Sequence, residues 1–228
     1  NPSASMDKDV PLSDFPSGPL AGNCLHEIYE NLDFQLATQD NAMPYVKDLA
    51  AKVLPSYGFS TEILVPKLIA GLCDTLRTPL GGPLGYFCLE SLSASDRINE
   101  LRFDMPVCSS KGPIRPEDLA ACFEAGGEDE VLCEEDFQRF RELSFAPFEG
   151  FMTGYIDLIF RVPSQEGVRY FVADYKSNRL TPFSHGRCVL GGYTFTHLRE
   201  QMRAHDYTLQ YHLYILALHR FLKSRLGS

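Results

Sequence analysis

Apolar positions recur at helical spacing through the first third of the chain and then give way to strand-like runs. Leu25, Ile28, Tyr29 and Leu32 place a helix over Pro19 to Phe34. A second helix is expected over Asn41 to Tyr57, closed by Gly58, and a third over Thr61 to Arg77, with Thr61 as N-cap and Leu64, Leu68 and Leu72 on one face. The turn-rich stretch TPLGGPLG, Thr78 to Gly85, breaks the pattern. Arg97 to Val107 reads as a strand. A short helix is expected near Pro116 to Phe123, and the acidic segment Glu124 to Glu130 reads as an exposed loop. Phe151 to Val162 and Val168 to Lys176 are aromatic and branched, with Gly167 in the turn between them, as in a hairpin. Helices are expected over Tyr193 to His205 and Tyr207 to Leu226, the last apolar around most of its girth and so buried.

With 228 residues, 44% hydrophobic and 22% charged, the chain can bury a core without staples. Seven cysteines, none spaced as CxxC, argue against a zinc ribbon and for free, mostly buried thiols in a reducing compartment. No apolar run approaches a membrane span, and no GxxxxGK[ST] motif for ATP is present. The net charge of −9 speaks against nucleic acid until it is divided: residues 1–150 carry −14 and residues 151–228 carry +5. A polyanion meeting the C-terminal third fits that asymmetry.

Candidate chemistry lies in the two strand-like runs. Asp157 interrupts the apolar GYIDLIF, and a half-buried carboxylate needs a cation or donors. In VADYKS, Asp174 and Lys176 are two apart and share a strand face. If the runs pair as a hairpin, Asp157 and Asp174 converge at one end of the sheet beside Lys176. Two carboxylates can hold a hard cation that polarises a phosphodiester and activates water, and a lysine can stabilise the developing charge. On spacing alone, a plain Asp174–Lys176 salt bridge explains the residues equally well.

GYIDLIF, VADYKSNRL and DYTLQYHLYILALHRFL together resemble the RecB-type nuclease domains of the PD-(D/E)xK superfamily. GNCLHEIYENLDF resembles the early helix of that family and NELRFDMPV its first core strand. The resemblance implies an α/β, restriction-endonuclease-like fold: a mixed central sheet flanked by helices, with a helical N-terminal part. Residues 1–19 would be a flexible lead-in, 20–226 the nuclease domain, cut short before the family's further strands, and 227–228 an appended end. His26, Asp157 and Asp174 would contact the metal, Lys176 would be catalytic, and Glu100 an accessory acid. Gln210 and Tyr214 match the family's QxxxY motif and would position DNA. Arg199 and Arg203, on the basic terminal helices, would meet phosphates. The implied activity is Mg2+-dependent DNA hydrolysis, with Mn2+ able to replace Mg2+ and Ca2+ a non-catalytic substitute. No iron–sulfur cluster is expected, because the cysteine positions that hold one in some relatives do not exist here. Implied partners are single- and double-stranded DNA, a helicase region of the same full-length chain, and RecC-like and RecD-like subunits, in a bacterial cytoplasm and away from membranes. The rival reading is a nuclease-like module that binds DNA or partner subunits without cutting.

Overall fold

The computed structural model describes residues 9–107, 112–126, 132–180 and 188–227. In chain order the elements are helices α1 (Pro19–Asn31), α2 (Phe34–Ala37), α3 (Met43–Val53) and α4 (Thr61–Arg77), strand β1 (Arg97–Val107), helices α5 (Pro116–Gly126) and α6 (Glu134–Arg141), strands β2 (Gly150–Ser164) and β3 (Gly167–Ala173), and helices α7 (Phe195–Ala204) and α8 (Tyr207–Leu226). The strands form one sheet in the order β1-β2-β3. It is antiparallel and flanked by helices, an α/β architecture compatible with the restriction-endonuclease-like class.

The chain divides into two compact units. The first comprises residues 1–101 and 156–198, the second 102–155 and 199–228. The first unit holds the main core. Leu25, Ile28, Leu64, Leu68 and Leu72 from the helices meet Leu158 and Phe160 of β2 there. Phe15 is part of that core at 1% exposure, so the segment before α1 is packed from Asp9 onward rather than loose. Residues 1–8 of the expected lead-in, and Ser228, lie outside the described residues. The second unit has a smaller cluster of Ala120, Leu132, Phe137 and Phe140.

Several expected boundaries move for local reasons. α1 stops at Asn31 because Leu32 turns extended and Asp33 begins a new helix, its carboxylate accepting from the Leu36 N–H at 2.9 Å. The helix expected from Asn41 starts at Met43 and tightens into a 3-10 turn at Leu54–Tyr57. Gly58 closes it with φ 74°, where a side chain would be strained. Ser60, not Thr61, occupies the cap of α4. α6 falls in a stretch without clear periodicity. Its start is fixed by Cys133 and Asp136, whose side chains each accept from the other's backbone N–H. Part of the expected acidic loop, Glu124 to Gly126, completes α5, and the rest lies outside the described residues. α7 begins at Phe195 rather than Tyr193. α8 has the expected bounds, but only Thr208, Ala217 and Leu218 are buried, and Ile215 is 50% exposed.

Candidate active site

β2 and β3 pair antiparallel through a tight turn at residues 165–166, with Leu158 opposite Ala173 and Ser164 opposite Gly167. Continued one step beyond Ala173, that register sets Asp174 opposite Asp157. Residues directly opposite on neighbouring strands direct their side chains to the same face. The ladder itself ends at Ala173, short of the strand end expected at Lys176. Its local cause is visible: the Tyr175 N–H donates to the Asp157 carboxylate at 2.7 Å instead of to a strand carbonyl.

Asp157 is 7% exposed in a stretch of β2 buried from Ile156 to Phe160, so its charge needs partners. One is His26 of α1, whose Nδ1 lies 3.4 Å from the Asp157 carboxylate. The other ring nitrogen, Nε2, is 2.8 Å from the Tyr175 carbonyl. Tyr175 thus fixes Asp157 through its N–H and His26 through its C=O. Its ring stacks on Tyr29 of α1 at 4.5 Å between centroids, tying helix to hairpin. Glu100 joins from β1: ligand atoms of His26, Glu100 and Asp157 all lie within 4.8 Å of one another. Glu100 also has φ 50°, a left-handed conformation rare for a residue with a side chain. Strain of that kind recurs where a side chain is held at a site. Asp174 stands outside this triple, and its carboxylate is ion-paired with Lys176. The contact required by the plain salt-bridge reading is therefore present, beside the cluster.

The electrostatics are those of crowded acids. Burial, then the neighbouring Asp157 charge, raises the Glu100 pKa. Burial also raises that of Asp174; Lys176 opposes the rise and Asp157 adds to it. The His26 pKa is raised first by its hydrogen bond to Asp157, against the effect of burial. A cation among these groups would relieve carboxylate repulsion, and oxygen ligands with one imidazole suit Mg2+ or Mn2+. The residues present therefore fit a divalent metal.

The remaining sequence candidates lie in the second unit. Gln210 and Tyr214 are one helical turn apart on α8 and bond to each other, Nε2 to Oη, at 2.7 Å. Arg199 and Arg203 of α7 both engage Asp136, a residue 3% exposed. A phosphate would have to compete with that buried carboxylate, so these arginines serve α6–α7 packing in this structure rather than an open basic track. Two residues that sequence reasoning missed carry much of the geometry. Tyr175 was hidden between the two charged residues of its motif, and Asp136 in a segment with no readable period.

A histidine, a glutamate and an aspartate meet at the hairpin end near the Asp174–Lys176 ion pair, in an α/β architecture compatible with restriction-endonuclease-like proteins. No family model matches the chain. Similarity to individual proteins is extensive. The chain is 30% identical over 98% of its length to RecBCD enzyme subunit RecB of Mycobacterium tuberculosis (strain CDC 1551 / Oshkosh), matching 20% of that protein. It is 32% identical over 93% of its length to RecB of Escherichia coli K12, matching 16% of it. RecB of Haemophilus influenzae is 27% identical over 93% of the chain, with 15% of that protein matched. The chain is thus similar, along nearly its whole length, to a stretch of RecB. It spans about a fifth or less of the relatives it matches.

Proposed function

We propose that this chain is a metal-dependent DNA nuclease domain that hydrolyses phosphodiester bonds at the cluster of His26, Glu100, Asp157, Asp174 and Lys176. The observation that supports the proposal is the cluster of His26, Glu100 and Asp157, whose ligand atoms lie within 4.8 Å of one another at the end of the hairpin whose second strand runs on to Asp174 and Lys176. His26, Asp157 and Asp174 would hold the cation, with Glu100 as accessory acid. When bound, a divalent cation polarises the phosphoryl group and lowers the pKa of water. The protein's own residues do the rest. Tyr175 holds Asp157 and His26 in fixed orientation, which lowers the reorganisation needed when substrate arrives. Lys176 sits against Asp174 and offers a compact positive charge to the oxygens on which charge develops.

Similarity to RecB supports placing the domain in a helicase–nuclease for recombinational repair. The helicase would lie on the same full-length chain, with RecC-like and RecD-like subunits as partners. The +5 balance of residues 151–228 suits a polyanionic substrate. No helix among the described residues is long and apolar enough to cross a membrane.

The test is cleavage of plasmid and single-stranded DNA in Mg2+. Wild type should cut, and EDTA or Asp174→Ala should stop it. DNA binding without cleavage by wild type, in the full complex as well as alone, would favour a binding module instead.

A further inference from the structure

Glu100 faces a direction that a regular strand would not give it. Successive strand residues direct their side chains to opposite faces. Arg97 and Asn99 of β1 are two apart, and both reach the C-terminal end of α1: Arg97 Nη2 donates to the Leu32 carbonyl and Asn99 Nδ2 to the Glu30 carbonyl. By the same alternation Glu100 belongs with Ile98, on the opposite face, where Ile98 is 40% exposed. The Glu100 carboxylate instead joins His26 of α1 and Asp157 of β2. The left-handed backbone of Glu100, φ 50°, is the break that lets two neighbouring residues serve one side of the strand. Such a conformation is unfavourable for a residue with a side chain, so something must hold it.

We infer that Asn99 is a positioning residue: its bond to the Glu30 carbonyl pins β1 against α1 one residue before the break and so delivers Glu100 to the candidate metal site. The inference rests on the metal-dependent reading of that site. His26 and Glu30 are four apart on α1, so the tether lies about one helical turn from the ring that Glu100 meets. α1 has no basic residue in its last turn and no glycine at its C-cap, and β1 supplies donors for its last carbonyls. Asn99 gains little else from its place. The other end of its amide, Oδ1, is buried without a hydrogen-bond partner among the described residues, which lowers stability. Packing alone would favour an apolar side chain of that size. Without the tether, Glu100 can relax to an extended backbone and carry its carboxylate to the face of Ile98, away from His26.

The test has a metal-free arm and a metal arm, both on the whole chain. Asn99→Leu keeps most of the volume and deletes the donor, and Asn99→Ala repeats the test with a smaller side chain. Without metal, the Cα and Cβ chemical shifts of Glu100 should move from left-handed to extended values. Mn2+ affinity by calorimetry should fall about ten- to a hundredfold, the usual loss when a group that orients a ligand is removed. Glu100→Gln leaves the other candidate ligands in place, and in that background the same substitutions should change affinity by less than about twofold, because the two residues act as one unit. Unmoved Glu100 shifts, or an equal loss of affinity in both backgrounds, overturn the role of Asn99 and leave the metal site standing. If wild type itself binds no Mn2+, the metal reading of the site fails and the inference with it.

Discussion

Removing Asp136 should destabilise the second unit more than any surface change, and the structure allows the size to be worked out. Its side chain is 4% exposed and accepts from Arg203 Nε at 2.8 Å, Arg199 Nη2 at 3.3 Å and the Cys133 N–H at 3.0 Å. Breaking a buried ion pair typically costs about 3–5 kcal/mol because a charge is left unpaired. The two arginines here keep 29% and 24% exposure and can turn partly to water. We therefore expect about 2–3 kcal/mol for Asp136→Ala, including about 1 kcal/mol for the lost helix cap. The pH dependence gives an independent figure. Burial pushes the Asp136 pKa up, but Arg203 and the Cys133 N–H and thiol outweigh it and bring the pKa from 3.8 to about 2. A carboxylate depressed on folding adds stability above its unfolded pKa and loses it as pH falls through the folded one. The window is therefore about pH 4 down to pH 2, and the amount about 2 kcal/mol. Urea denaturation followed by circular dichroism, with hydrogen exchange of the α6 and α7 amides, measures both. Asp136→Asn should lose the pH-dependent part and keep much of the cap. Wild-type protection of those amides in Asp136→Ala would refute the reasoning.

Four further outcomes are expected. Lys176→Ala should abolish DNA cleavage while calorimetry finds cation affinity largely intact; a loss of affinity equal to that of Asp174→Ala would remove the assigned role. Tyr175→Phe deletes a buried hydroxyl that has no hydrogen-bond partner among the described residues, so the unfolding free energy from urea denaturation should stay level or rise, whereas Tyr175→Ala, which removes the stack on Tyr29, should lower it by about 3–5 kcal/mol. Glu100→Gly relieves a left-handed backbone and should leave stability level or raise it by about 1 kcal/mol, with weaker cation binding by calorimetry. Gly154→Ala would drive a methyl into the Phe103 ring and should cost about 1–3 kcal/mol in thermal or urea unfolding.

The readable parts of the fold were those with a strong period. α4, β1 and α8 have the bounds that their apolar spacing sets, and Gly167 marks the hairpin. The antiparallel pairing of β2 with β3 followed from two strand-like runs and a single turn. What escaped depends on side-chain bonds to the backbone. The end of β3 is decided by a carboxylate taking the Tyr175 N–H, and the start of α6 by Cys133 and Asp136 capping each other. Neither leaves a hydrophobic pattern. Arg199 and Arg203 read as a basic track because charge alone is visible in a sequence, while their acceptor lies 63 or more residues away. The division into two units is likewise silent, since β1 and β2 each run unbroken through it as strands.

The central claim is that His26, Asp157 and Asp174 hold one divalent cation. Anomalous scattering from crystals of the chain soaked in Mn2+ tests it most directly. The account predicts a single strong peak with the His26 ring and the carboxylates of Asp157 and Asp174 as ligands, at about 2.0–2.6 Å, lost in Asp157→Ala. A peak elsewhere, or none at the hairpin end in saturating Mn2+, would contradict it.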